Sequence, residues 1–464
     1  MITTGARERS ANWILIFTCS AILLVIFRGS IEGDVRFGAV VACLVAGASV
    51  VSMIRVNSDR PISVGSVYAA LFGMFHAGLL IPIAVGYAPR LLNASDAAWV
   101  SSPGFAKASF LVALAQTSVS LGYLARSCMK HGGLVTREAT PRSITPVDGS
   151  AVVGLTMLLT GLGIWTKNVI FAGVSWGEAY SSFLALTAKT NMPTAYLLIG
   201  FGMGVVSSSK WVAVRRTAII AFSLWAFPAF LLGLRGEVII PASAFLVVAS
   251  RRRWIRLRLW MAACVIVVLS IGSAVRVVRR TGVAHSPLAI ADFSPLNGVA
   301  ELGYSIRPLV VVSDYHERYG QPFVGIATYL APFRRFIIGR LLDGQVLSVG
   351  NDPSVCGGWI MRYVGPIGGS PAAEAYRAGG ALAMIGVMAI IGFTLASLDF
   401  ARGKMMADAL VGMITFVLLL WVRNDFTPVP AECFLALLVL AAVWILDQRS
   451  GGRSVDTPIR VRTS

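Results

Sequence analysis

Apolar residues in this chain come in long blocks, neither alternating as in a half-buried strand nor confined to one helical face. A helix that crosses a bilayer needs about 20 apolar residues. About twelve blocks approach that length: residues 13–27, 37–54, 62–86, 105–124, 151–166, 193–207, 217–234, 238–250, 259–275, 379–398, 407–422 and 429–446. The pattern predicts an all-α, polytopic transmembrane helical bundle. No repeat, low-complexity tract or linker divides it. One integral membrane domain is expected, with helices over 1–275, one large loop over 276–378, and further helices plus a tail over 379–464.

The charged residues between the blocks orient the bundle. Placing the N-terminus in the cytoplasm puts the connections 55–60, 126–142, 210–216, 251–258 and 402–404, and the tail from Arg449, on the inside. Nearly every short loop then obeys the positive-inside rule, and residues 276–378 fall outside; long loops are exempt, so their arginines do not contradict the assignment. Arg7 and Arg9 precede the first block as in a signal peptide. Phe27-Arg28-Gly29-Ser30 offers no small-x-small cleavage site, so the block is expected to stay as an anchor.

Composition agrees with a membrane protein and removes several alternatives. The chain is 56% hydrophobic and 13% charged, with a mean hydropathy of +0.74. A formal charge of +18 would point to nucleic acid in a soluble domain, but here it divides between inner loops and the outer segment, so no nucleic-acid partner is expected. Of the six cysteines only Cys356 falls in the outer segment, and none forms a CxxC pair. His76 lies in the third block and His131 in an inner loop; His285 and His316 lie outside, without a second histidine or carboxylate at metal spacing. No metal and no cofactor are expected. There is no glycine-rich phosphate loop and no acidic pair of the nucleotide-sugar type, so a cytosolic nucleotide sugar is not the expected donor.

The outer segment carries the chemistry. It holds ten arginines (Arg276, Arg279, Arg280, Arg307, Arg318, Arg334, Arg335, Arg340, Arg362 and Arg377) and no lysine. Guanidinium is planar, permanently charged and grips phosphate oxygens two at a time, so this pattern outside the membrane asks for an anionic, diphosphate-like ligand. Arg235 and Glu237 join two blocks with almost no loop, and the block after them covers only about 20 Å of a ~30 Å hydrocarbon core. Both are expected below the outer surface, in a cavity, where a charge is costly unless paired or ligated; the plainer reading is an Arg235–Glu237 ion pair closing a tight hairpin. Arg423-Asn424-Asp425 repeats the arrangement between the last two blocks. The two turns either converge on one anion or serve as charged caps. Glu301 and Glu374 supply carboxylates beside these cations, and either suits a base for an acceptor hydroxyl while arginines hold the leaving phosphate. Residues 329–341 place Phe333, Ile337 and Leu341 at helical spacing. That predicts an amphipathic helix, lying in the membrane interface with its arginines at headgroup level or packed on the ends of the bundle.

Five stretches resemble the O-antigen polysaccharide polymerase (Wzy) family, in the family's order over the last half of the chain. They are Gly233-Leu234-Arg235-Gly236-Glu237, the run from Glu301 to Pro308, the run from Gly325 to Leu330, the run from Gly365 to Tyr376, and Arg423-Asn424-Asp425-Phe426. The chain departs at Gly369, where the family favours an aromatic, and at Arg377-Ala378-Gly379, where it favours an Asn-Phe-Gly-like continuation. The resemblance implies a lipid-carrier (GT-C-like) glycosyltransferase of the bacterial inner membrane with a periplasmic active site. Its donor would be a growing glycan on undecaprenyl diphosphate and its acceptor a lipid-linked repeat unit, with a chain-length regulator as a further partner. On that reading Arg235, Arg307 and Arg423 bind the diphosphate, Glu301 or Glu374 acts as base or positions the acceptor, and Glu237, Tyr376, Arg377 and Asp425 are further candidates. A ligase using the same donor fits the outer arginines equally. A flippase fits less well, because mid-span positions carry essentially no Asp, Glu, Lys or Arg.

Overall fold

The computed structural model describes residues 2–88, 94–129, 148–174, 180–187, 189–255, 257–281, 293–342, 344–365, 367–401 and 405–451. His131, His285, the connections 130–147 and 402–404, and the tail after residue 451 lie outside the described residues, as do the side chains of Arg276, Arg279, Arg280 and Arg340. Among the described residues there are helices and no strands. Those that matter here are α1 (Ile2–Ile26), α2 (Val35–Val56), α3 (Val64–Ala77), α4 (Pro103–Met129), α5 (Gly149–Phe171), α6 (Met192–Val206), α7 (Val212–Leu231), α8 (Arg235–Arg251) and α9 (Leu259–Thr281), followed by α10 (Pro295–Leu302), α11 (Arg307–Tyr319), α12 (Ala327–Phe336), α13 (Cys356–Val364), α14 (Pro371–Phe400), α15 (Met405–Trp421) and α16 (Val429–Gly451).

Every apolar block falls on a helix. Among the described residues, seven helices (α1, α2, α4, α5, α7, α14 and α16) are long and apolar enough to cross a membrane, and α3, α6, α9 and α15 contain shorter apolar stretches. The chain is a multi-pass membrane protein. Helix starts follow local chemistry: Asp34, Asp148 and Ser370 accept the first free amides of α2, α5 and α14, and Ser63 with Ser66 forms a capping box on α3.

The long α4 is the centre of the larger core and is buried over nearly all its length, with α1, α2, α11 and α14 packed around it. Water does not drive helices together inside a bilayer, so close contact of small residues has to hold them. Gly122 on α4 and Gly392 on α14 meet that need, since a Cβ on either would overlap the backbone of the other helix. A second core joins α5, α6, α7 and α8 around Trp165, Phe222 and Trp225.

The helix ends gather into two groups. At one end, Asp399 near the C-terminus of α14 accepts from Val64 N, Gly65 N and Tyr123 Oη at 2.7–2.9 Å. Arg251 at the end of α8 bonds Leu398 O, Asp399 O and Ala401 O, and pairs with Asp408 of α15. This clasp ties α3, α4, α8, α14 and α15 together. The opposite ends of α3, α8, α14 and α15 meet at the candidate site.

The segment expected as one outer loop is largely helical. α9 runs on to Thr281, four further helices follow, and α14 starts at Pro371, eight residues before the block at Gly379. Gly379 and Gly380 interrupt α14 with non-helical backbone, Gly380 at φ 69° and ψ −157°. The carbonyls freed by the break are not left bare: Val324 N donates to Arg377 O at 3.2 Å and Gly325 N to Ala378 O at 2.9 Å. The amphipathic helix is present as α12, with Leu330, Phe333 and Phe336 exposed. Arg334 bonds Asp352 and Ser354, and Arg335 bonds Leu347 O.

Candidate functional site

Three stretches far apart in sequence close around one cavity of about 170 Å³. The α7–α8 turn supplies Gly233, Arg235 and Glu237; the end of α10 and the 3-10 turn after it supply Glu301, Leu302, Tyr304 and Ser305, with Arg307 opening α11; the α15–α16 turn supplies Arg423. Phe75 and Ile367 complete the wall. The lining carries three arginines against two glutamates and no lysine. It offers an anion a positive, donor-rich surface made of permanent charges.

Arg235 is 6% exposed. α8 begins at Arg235 itself, not at Val238, so Arg235 and Glu237 stand in its first turn, and the N-cap Leu234 has no side-chain acceptor for the first amides. The tight-hairpin pairing is not formed. Arg235 Nη1 pairs with Glu301 Oε2 at 2.5 Å, across 66 residues of sequence. Its Nε and Nη2 are buried and make no hydrogen bond. A buried donor left unsatisfied costs on the order of 1–3 kcal/mol, and more when charged, so this guanidinium is set up for an acceptor that the protein does not itself provide.

The other two arginines are held from behind. Arg423 lies 5.1 Å from the Phe75 ring centroid and Arg307 5.6 Å from that of Trp99, both as cation–π contacts. Gly236 keeps the approach open, since a Cβ there would collide with Arg423 Nη1. Gly369 N donates to Arg423 O at 3.0 Å. A Cβ on Gly369 would stand 2.6 Å from Asp425 N, so an aromatic side chain does not fit this turn as it stands.

Glu374 and Asp425 do not line the cavity. Glu374 is 1% exposed and accepts from Thr328 Oγ1 at 2.8 Å, Phe426 N at 2.8 Å and Trp421 Nε1 at 3.3 Å. It braces the turn that carries Arg423. Asp425 accepts from Gly357 N at 3.1 Å and Thr427 N at 3.2 Å, and burial holds its carboxyl above the usual carboxylate range. The two Arg-x-acid turns therefore converge through Arg235, Glu237 and Arg423, while Asp425 turns to α13.

Tyr376 and Arg377 also sit away from the cavity. Tyr376 packs near His316 and Phe323. Arg377 stacks over Trp359 at 4.5 Å and donates to Pro353 O. His316 faces Gln321 O, and burial lowers its pKa. His76, unassigned from sequence, is fully buried with Nε2 at 2.7 Å from Ser370 Oγ and Nδ1 at 3.1 Å from Phe72 O. The carbonyl can only accept, so Nδ1 carries the proton and Ser370 donates to Nε2. This locks the start of α14 onto α3, a contact over 294 residues that no local signal foretells. Phe75 and Ile367 were likewise missed, being apolar residues in an apolar chain. Tyr304 and Ser305 stood unassigned between Glu301 and Arg307. No group of three or more His, Cys, Asp or Glu residues suited to a metal occurs among the described residues.

The family model described as O-antigen polysaccharide polymerase Wzy matches residues 12–449, nearly the whole chain. No curated protein and no solved structure matches it.

Proposed function

The chain belongs to the O-antigen polysaccharide polymerase Wzy family and polymerises O-antigen repeat units, and we propose that it does so in the Arg235–Arg307–Arg423 cavity, at the periplasmic face of the inner membrane, on glycans carried by undecaprenyl diphosphate. The observation that carries this reading is Arg235, buried, with two donors unused and a third on Glu301. The donor glycan's diphosphate takes the arginines. As it displaces the carboxylate from Arg235, Glu301 is left beside the sugar carbon to accept a proton.

An acceptor hydroxyl then attacks the anomeric carbon. The new glycosidic bond forms, the carbon–oxygen bond to phosphate breaks with its electron pair going to the diphosphate, and the hydroxyl proton passes to Glu301. Three fixed cations meet the charge that grows on the leaving group, with no reorganisation of water. Glu237 lines the same cavity and suits a hydrogen-bond acceptor for the incoming sugar. Glu374 acts indirectly, by holding the Arg423 turn.

Glutamine separates the two carboxylates, because it keeps the shape and can still hydrogen-bond but cannot take the proton. Glu301→Gln should abolish polymer while binding of undecaprenyl diphosphate to purified protein stays equal or tightens, since Arg235 no longer has an anionic internal partner. Glu374→Gln should lower the melting temperature and reduce polymer in proportion to folded protein. A wild-type rate from Glu301→Gln would remove it as the base.

A further inference from the structure

Arg235 and Leu302, which line the cavity, also line a crevice of about 10 Å³ whose other walls are apolar or glycine: Phe230 of α7, Ile239 of α8, and Val268, Leu269 and Gly272 of α9. Arg235 thus belongs to both spaces, one lined by acids and arginines and the other by hydrocarbon. Two glycines line this crevice or its edge. A Cβ on Gly272 would meet Arg235 Nη1 only at 3.8 Å and the Phe230 ring at 3.9 Å, while Gly298 lets α10 lie directly against the Leu269 backbone.

Resting on the reading above, we propose that the polyprenyl chain of the substrate leaves the site through this crevice, between α7–α8 on one side and α9 on the other. A polyprenyl diphosphate has an anionic head that seeks arginine and a long tail that must stay in hydrocarbon. Only a place where the two environments meet at one residue accommodates both without exposing the tail to water or drawing the head into lipid. The two helices that wall the crevice also carry apolar side chains outward, with Phe227 and Leu224 of α7 and Val265 and Ile266 of α9 exposed. The crevice must widen to admit a chain. Among the described residues α9 packs chiefly on α10, so it is the wall that yields.

The head and the tail can be tested apart, in purified protein in nanodiscs, with undecaprenyl diphosphate and inorganic pyrophosphate as probes. Gly272→Phe should weaken undecaprenyl diphosphate binding at least 10-fold and leave pyrophosphate within about 2-fold, with Gly272→Ala like wild type on both. Unchanged lipid binding in Gly272→Phe overturns the tail path, and so does a parallel loss of both probes. Arg235→Ala should lose both probes; if it keeps both, the head assignment falls while the Gly272 result still judges the crevice. Should Gly272→Phe not fold, a benzophenone side chain at Phe230 should capture undecaprenyl diphosphate well above the same group at the exposed Leu44 of α2. Equal capture at the two positions overturns the proposal.

Discussion

Lysine keeps an arginine's charge and loses its fork, so it tests what the cavity arginines do. Where two guanidinium nitrogens grip one diphosphate, Arg235→Lys and Arg423→Lys should be nearly as damaging as the alanine variants. Loss of one such contact in the transition state should cost about 2–4 kcal/mol, or about 30- to 1000-fold in rate, measured as polymer formed per unit of folded protein. Normal polymer from Arg235→Lys would exclude bidentate binding. At this scale the sequence was legible where a residue was out of place: Arg235, Glu237, Glu301 and Arg423 are charges in an apolar chain. Partnership was not legible. Arg235 had a neighbour two residues away in Glu237 and bonded Glu301 instead, because the start of α8 faces the end of α10 in space. Glu374 read as a candidate base because a carboxylate buried on three structural donors and one facing a cavity look alike in one dimension.

The helices themselves were written plainly in the apolar blocks, but their ends were not. The apolar block begins at Gly379, so the half-helix before it, which carries Glu374 and Arg377, read as loop. Its carbonyls are met by Val324 and Gly325 across the break, a pairing between distant segments that no local pattern marks. Gly380 has a backbone conformation that is essentially reserved for glycine. Gly380→Ala should therefore destabilise the protein by about 1–3 kcal/mol, seen as a lower melting temperature in detergent. Gly386→Ala, on the same helix with open space around it, should be neutral or slightly stabilising. Equal melting of the two variants would mean that the break is not a fixed part of the fold.

For the molecule as a whole, loop charge supplied an orientation, and a reporter can check it. A phosphatase fused near Asn351 should be active and one after Arg449 inactive; the reverse would put the cavity on the cytoplasmic side and remove the basis for a periplasmic reaction. The fold adds something that charge alone does not. The Arg251–Asp399–Asp408 clasp pins α8, α14 and α15 at one end; at the other, Glu374 and Ser370 tie α14 to α15 and α3, and the start of α8 is held by the Arg235–Glu301 pair. A rod fixed at one end moves most at the other, and the 17 residues of α8 make a lever of roughly 25 Å. A tilt of about 5° at the clasp carries Arg235 about 2 Å, enough to make or break a hydrogen bond. A ligand that takes Arg235 from Glu301 therefore loosens the site end of α8 while the clasp keeps its other end in place.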